Sequence, residues 1–236
     1  MHVAIILSAK GYHWVEVAEA VRVFENAGIS FELFTPEGMG ADPDPFSIET
    51  KPFLNLLGFG TPSSIAPETN FGTELAMKIW EAKPFSDLDP KNFDGVYLPG
   101  GHGCLFDVNP NATVHKKLRS FAKAGKPIAL VCHSTSTIAL TDPGLVKGKA
   151  ITGFPDFIDR LLVKFKMVHP QFLPIPLNNQ QELIKAGALH SFWKTCRAVF
   201  NPCYMVRDGN LISGVGPRAA KGVARALIRA FQSPSS

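Results

Sequence analysis

In Pro127-Ile128-Ala129-Leu130-Val131-Cys132-His133-Ser134-Thr135-Ser136, an apolar run stops abruptly at a cysteine and polar residues take over. An unbroken apolar run of this length reads as a strand covered on both faces, the habit of a central strand in a parallel sheet. The segment Ile138 to Leu140 then resumes with helical periodicity, so a strand, a sharp turn and a helix meet at Cys132. Outward from there the pattern repeats. Gly95-Val96-Tyr97-Leu98 is a strand that runs into the turn Pro99-Gly100-Gly101-His102-Gly103, and Val3 to Leu7 and Phe31 to Phe34 are two more strands. Between them Val17, Ala20, Val21 and Phe24 recur at helical spacing before Gly28, as do Val114, Leu118 and Phe121 before Gly125. Strands that alternate with helices predict one α/β domain over residues 1–236, with a mainly parallel sheet and right-handed crossovers. Ligands in such sheets bind beyond the carboxyl ends of the strands, where the glycine turn and Cys132 both fall.

The stretch from Pro36 to Phe85 interrupts itself with Pro, Gly and Asp and reads as a loop-rich insertion at about 36–85, with a short helix over Thr73 to Ala82. Long irregular connections usually serve a site or an interface. Further on, Ala150 to Thr152 is expected as a short strand and Phe154 to Val168 as a helix. Val206 to Ile212 carries the Asp-Gly signal of a tight hairpin, and Ala219 to Phe231 forms a closing helix.

The 236 residues are 45% hydrophobic and 19% charged, which excludes disorder, and a chain this long can bury a core without disulfides or metal. Lysine and arginine total 24 against 20 acids, a net charge of +4 with no basic run, so no nucleic-acid partner is expected. The apolar start is too short for a signal or a membrane span, which points to a cytoplasmic protein, with a nuclear location also open, and no membrane partner. Cys104, Cys132, Cys196 and Cys203 lack C-x-x-C pairing and are expected as free thiols.

Cys132 sits where an elbow exposes a nucleophile, and N–H groups at the start of the next helix favour a thiolate and then an oxyanion. A buried thiol is otherwise a small hydrophobe, the better reading of Cys196 and Cys203. Neighbouring side chains diverge, so His133 offers its backbone N–H as readily as its ring; if the ring turns to the thiol, Asp159 or Asp156 is available to orient it. Glu16 and Glu19 open the first helix at the same sheet edge, where a carboxyl can shuttle protons, although acids in a first turn also simply suit the helix dipole. The turn from Gly100 to Gly103 lacks the spacing and the lysine of a phosphate loop and reads as an oxyanion donor or a tight turn. His102 and Cys104 are two ligand types without a third, so no metal is expected. Phe46, Phe53, Phe59 and Phe71 read as a loop layer packed on the core, with a pocket lining or an oligomer interface as the alternatives.

The Gly100-Gly101-His102-Gly103 turn, Ala129-Leu130-Val131-Cys132-His133 and Ile151-Thr152-Gly153-Phe154 together resemble the ThiJ/PfpI superfamily. The order of Trp14-Val15-Glu16, Pro99 to Asp107, Val131-Cys132-His133 and Leu211 to Gly214 is most similar to its heat-shock-protein-31 branch, which includes glutathione-independent glyoxalases. The resemblance implies a flavodoxin-like sandwich of the class I glutamine-amidotransferase type, with helices on both faces of the sheet. It also implies a nucleophile at Cys132, a triad histidine at His133, an acid at Glu16 and an acidic triad member at Asp159, with Gly101 and His133 giving oxyanion-hole N–H groups. Family members commonly carry glutamate where Asp159 aligns, and Asp156 lies one turn away. Relatives carry glycine where this chain has Ser134, whose side chain is expected to narrow or rehydrate the pocket.

The activity so implied is glyoxalase III, a D-lactate dehydratase that turns methylglyoxal and water into D-lactate without a cofactor. Methylglyoxal and glyoxal are the substrates and a homodimer the assembly. Two other uses of the same cysteine are a stress-protective chaperone or redox sensor, with a low-pKa, accessible thiol, and a protein deglycase.

Overall fold

The computed structural model describes residues 1–48, 61–189, 201 and 203–232. Its elements, in chain order, are β1 (His2–Ile6), β2 (Lys10–Tyr12), α1 (Trp14–Asn26), β3 (Ser30–Thr35), β4 (Asp42–Pro43) and α2 (Pro45–Ile48). There follow α3 (Asn70–Trp80), β5 (Lys83–Pro84), β6 (Gly95–Leu98), α4 (Cys104–Asp107), α5 (Ala112–Lys123), β7 (Ile128–Val131) and α6 (Thr135–Thr141). The chain then forms α7 (Asp156–Lys164), α8 (Asn179–Lys185), β8 (Met205–Asp208), β9 (Leu211–Gly214) and α9 (Ala220–Gln232).

The main sheet has seven strands in the order β5-β3-β1-β6-β7-β9-β8, and every pairing is parallel except the β8–β9 hairpin at one edge. Successive side chains on a strand face opposite ways, and here both directions are apolar. Val3, Ile5, Tyr97, Ala129 and Val131 pack on one side with α1 and α9, while Ala4, Ile6, Val96, Leu98, Ile128 and Leu130 pack on the other with α4, α5 and α6. That two-sided burial explains why the central strands read as continuous apolar runs. It also confirms the flavodoxin-like α/β arrangement, a mostly parallel sheet with helices on both faces.

The helices end as their sequences dictate. Asn111 accepts hydrogen bonds from the amides of Thr113 and Val114 and so caps α5, satisfying donors that the first turn leaves without partners. At the other end Gly125 takes up a left-handed conformation and stops the helix.

Two expectations need correction. Ala150 to Thr152 is not a sheet strand; Ala150 makes only an isolated bridge to Leu189. The places beside β9 are taken by β7 and β8, so the amides of Ala150 and Thr152 donate instead to the side chains of Asp208 and Ser213. The helix expected from Phe154 to Val168 is shortened to α7, begun after Pro155 and ended before Lys166, whose φ is 56°. Within 36–85, α3 covers most of the expected helix, and β4 pairs with β2 in a small separate parallel ladder. Residues 49–60, including Phe53 and Phe59, lie outside the described residues, as does Cys196. Among the described residues no helix is long and apolar enough to cross a membrane.

Candidate active site

The carboxyl ends of β6 and β7 bring the glycine turn and Cys132 together. Cys132 has φ of 60°, a left-handed conformation that an L side chain adopts at an energetic cost and that tips its sulfur out of the strand. The close approach of the turn depends on missing side chains. A Cβ at Gly100 would lie 2.7 Å from the Val131 carbonyl oxygen and 2.8 Å from the His133 nitrogen, while Gly101, at φ 103°, would clash with the Gly11 carbonyl. The segments of the two expected oxyanion donors, Gly101 and His133, therefore touch around Cys132.

Thr135 and two asparagines brace the elbow from behind. The Thr135 hydroxyl donates to the Cys132 carbonyl at 2.7 Å. Asn179 is fully buried, accepts from the Ser136 amide at 3.0 Å and donates to Thr135 Oγ1 at 3.0 Å. Asn109, also fully buried, donates to Ser136 Oγ at 2.7 Å and accepts from the Thr137 hydroxyl. Buried polar groups satisfied in this way fix one local geometry.

His133 does turn its ring toward the thiol, with Nδ1 3.3 Å from Cys132 Sγ and Nε2 2.9 Å from Asp159 Oδ2. Asp159 projects from the first turn of α7. Asp156 is spent elsewhere: its two oxygens accept from the Gln180 and Gln181 amides at the start of α8. Burial alone would raise the Asp159 carboxyl, but His133 and His102 outweigh it and hold it well below the usual carboxylate range.

Glu16 is wholly buried in α1, an uncommon place for a carboxyl. Its Oε2 accepts from the Gly100 amide at 2.6 Å, Oε1 has no hydrogen-bond partner among the described residues, and the carboxyl faces the Cys132 thiol. Burial pushes this carboxyl up to about 8, against the opposing pull of the Gly100 N–H, so near neutral pH it can hold a proton or give one up. Glu19 instead lines a surface groove with Arg22 and Arg225.

Cys132 is only 3% exposed, which departs from the accessible, low-pKa thiol expected of a sensor. Burial pushes the thiol well above its ordinary value, and Glu16 and Asp159 push the same way; the His133 amide opposes them without prevailing. Ser134 is a second departure. Its buried hydroxyl bonds the Leu98 carbonyl at 2.7 Å and accepts from the Val131 amide, so it ties the ends of β6 and β7 instead of narrowing the pocket.

Sequence reasoning missed one group of residues. His102 Nδ1 lies 2.9 Å from Asp44 Oδ2, and its Nε2 lies 3.6 Å from Asp159 Oδ1. Asp44 follows β4, where a Pro- and Asp-rich stretch reads as turn chemistry and nothing marks it as a site residue. Burial works against a charge on His102, but Asp159 and Asp44 outweigh it and lift the imidazole to about 9. His13, at the start of α1, is pulled the other way, down to about 4, because burial exceeds the attraction of Asp44. One ligand atom from each of His102, His133 and Asp159 falls within 4.8 Å of the others; His133 and Asp159 are hydrogen-bonded to each other, whereas His102 Nε2 has no hydrogen-bond partner among the described residues. Cys104, the other ligand type named with His102, is buried in the core on the α5 side of the sheet.

A sequence model of the DJ-1/PfpI family matches residues 1–230. The chain belongs to the DJ-1/PfpI family. Among its relatives, glyoxalase 3 of Candida albicans is 30% identical, over 94% of this chain and 90% of that protein. The glutathione-independent glyoxalase hsp3102 of Schizosaccharomyces pombe is 24% identical over 94% of this chain and 89% of its own. The DJ-1/PfpI fold is matched in solved structures as well. The crystal structure of glyoxalase III from Candida albicans superposes with a TM-score of 0.69 at 24% identity, covering 97% of each chain. The rapid encystment protein of Francisella tularensis gives a TM-score of 0.73 at 17% identity, over 98% of this chain and 99% of that one.

Proposed function

We propose that the protein is a glutathione-independent glyoxalase, a D-lactate dehydratase that converts methylglyoxal and water to D-lactate. One observation carries the reading: the buried Cys132 thiol has a protonatable carboxyl beside it and an imidazole–carboxylate pair 3.3 Å away. Turning a 2-oxoaldehyde into a 2-hydroxy acid oxidises one carbon and reduces its neighbour. A nucleophile and a proton carrier therefore suffice, with no external electron acceptor.

His133 takes the Cys132 proton, and the thiolate attacks the aldehyde carbon to give a hemithioacetal. The alkoxide formed by that attack takes the Glu16 proton, and Glu16, now a carboxylate, removes the hydrogen on that carbon as a proton to leave an enediol and returns a proton to the adjacent carbon. The product is a lactoyl thioester. Water, deprotonated by His133, then cleaves the thioester, releasing lactate and restoring the thiol. Asp159 holds the ring and balances its charge. The amides of Gly101 and His133 serve as donors to the oxyanion at each addition step, a contribution of about 3 kcal/mol per donor. With Cys132 at 3% exposure, a three-carbon dicarbonyl suits the site better than a protein-borne adduct or an unfolded client. The names of the glyoxalase relatives support the same reading.

The proposal includes glyoxal as a second substrate, a homodimer and a cytoplasmic or nuclear location. Its test is D-lactate formation from methylglyoxal by purified protein without glutathione, for wild type beside Cys132→Ala. Turnover lost in the variant is expected; full activity in Cys132→Ala would end the account.

A further inference from the structure

Two carboxylates, Asp44 and Asp159, enclose two imidazoles, His102 and His133, in one buried cluster. The rings of the two histidines are 4.9 Å apart, and His102 stacks on Phe172 with centroids 5.8 Å apart. Asp44 is itself held in place. Its Oδ1 accepts from the Phe46 amide at 3.0 Å and its amide donates to the Tyr12 carbonyl, so the small β2–β4 ladder positions it. Asp159 thus faces His133 at hydrogen-bond distance and His102 at ion-pair distance.

We propose that Asp44 and His102 form a second acid–imidazole pair that sets the charge around the first. His102 lies as an imidazolium between Asp44 and Asp159 and cancels one of their two negative charges. One charge is then left to balance the proton that His133 takes from Cys132. His102 and Asp44 are positioning residues, acting through Asp159 and His133. The inference rests on the reading of Cys132 and His133 as thiol and proton acceptor.

Of the remaining titratable neighbours, Asp156 repels Asp159 from the same helix and is common to every variant, while those inside the cluster are neutral in the resting protein. His13, at the head of α1, is held neutral by its burial, and the Glu16 carboxyl and the Cys132 thiol are both pushed toward their protonated forms. Two carboxylates and one imidazolium leave a net charge of about −1. Removing His102 alone makes the cluster more negative, whereas removing the charges of both His102 and Asp44 leaves Asp159 by itself and restores the original sum.

The test follows the pH dependence of Cys132 alkylation by iodoacetamide, read at the Cys132 peptide by mass spectrometry, in wild type, His102→Gln and the double variant Asp44→Asn/His102→Gln. At a separation of 4.9 Å, loss of the cation raises the proton affinity of the thiol–imidazole pair, moving the inflection of His102→Gln up by about one pH unit. The double variant should return to within about 0.3 units of wild type, since its amide pair carries no charge. An unmoved inflection in His102→Gln, or a double variant that stays with it, would overturn the proposal. So would a measurement on the unaltered protein: ring 15N NMR should find both His102 nitrogens protonated at pH 7, and a neutral ring is incompatible with the role. Alkylation requires no methylglyoxal turnover, so failure of the glyoxalase reading and failure of this inference give separate results.

Discussion

Replacing Glu16 with glutamine should stabilise the protein while removing its activity, and the stabilisation should grow with pH. Burial raises the Glu16 carboxyl from an ordinary 4.5 to about 8 in the folded protein. Between those two values the unfolded chain has released its proton and the folded chain still holds one, so the folded state loses stability as pH rises. Each unit is worth about 1.4 kcal/mol. The wild type therefore carries a penalty near zero at pH 4.5, about 3 kcal/mol at pH 7 and about 5 kcal/mol above pH 8. Glutamine keeps an oxygen to accept the Gly100 N–H and has no proton to lose, so it escapes that penalty. For a chain of this size, about 3 kcal/mol corresponds to a melting temperature higher by roughly 6–12 °C at pH 7. Thermal unfolding of both proteins at pH 5, 7 and 8.5 reads the gap, and a D-lactate assay on the same samples reads activity. The other titrating groups are common to both chains and cancel in the difference. A variant no more stable than wild type at pH 8.5, or a gap that does not widen from pH 5, would refute the reasoning.

Exchanging the two acids of α7 separates catalysis from capping. Asp159→Asn should lower kcat by about 10²-fold or more by leaving the His133 ring without its charge partner, whereas Asp156→Ala should cost about 1 kcal/mol of stability, measured by urea unfolding, with turnover retained. Equal losses of turnover in both would mean that the assignment of the orienting acid is wrong. Ser134→Gly removes the bonds to Leu98 and Val131 and should destabilise by about 1–2 kcal/mol with kcat within a few-fold of wild type; a large gain in kcat would mean that the hydroxyl does limit the pocket.

The parts of the molecule legible in sequence were those with a local physical signature. The central strands announce themselves because both faces are buried, and Cys132 stands out because a strand, an elbow and a helix meet there. Glu16 was legible only as one of two acids in a first helical turn. What separates it from Glu19 is depth in the sheet–helix interface, which is set by how α1 lies on the sheet. Asp159 and Asp156 are three residues apart on one helix, and only tertiary packing assigns one to His133 and the other to α8. Asp44, Asn109 and Asn179 left no signal, since a lone Asp or Asn between turns is ordinary loop chemistry until a distant element comes to rest on it. The mistaken strand at Ala150 to Thr152 has the same origin: its β propensity was real, but the neighbouring ladder positions were already filled.

The cluster around Cys132 draws its members from β2–β4, α1, the β6 turn, the β7 elbow and α7, parts of the chain that meet only when the sheet is complete. Because long-range pairings of this kind form late in folding, a nascent or partly unfolded chain carries the cysteine without Glu16, His133 or Asp159 arranged about it. In that state Cys132 is an ordinary solvent-accessible thiol, open to oxidation and to adduct formation by the aldehydes the finished protein consumes. Folding thus acts as the protein's own antioxidant, and time spent unfolded is when the Cys132 thiol is most vulnerable.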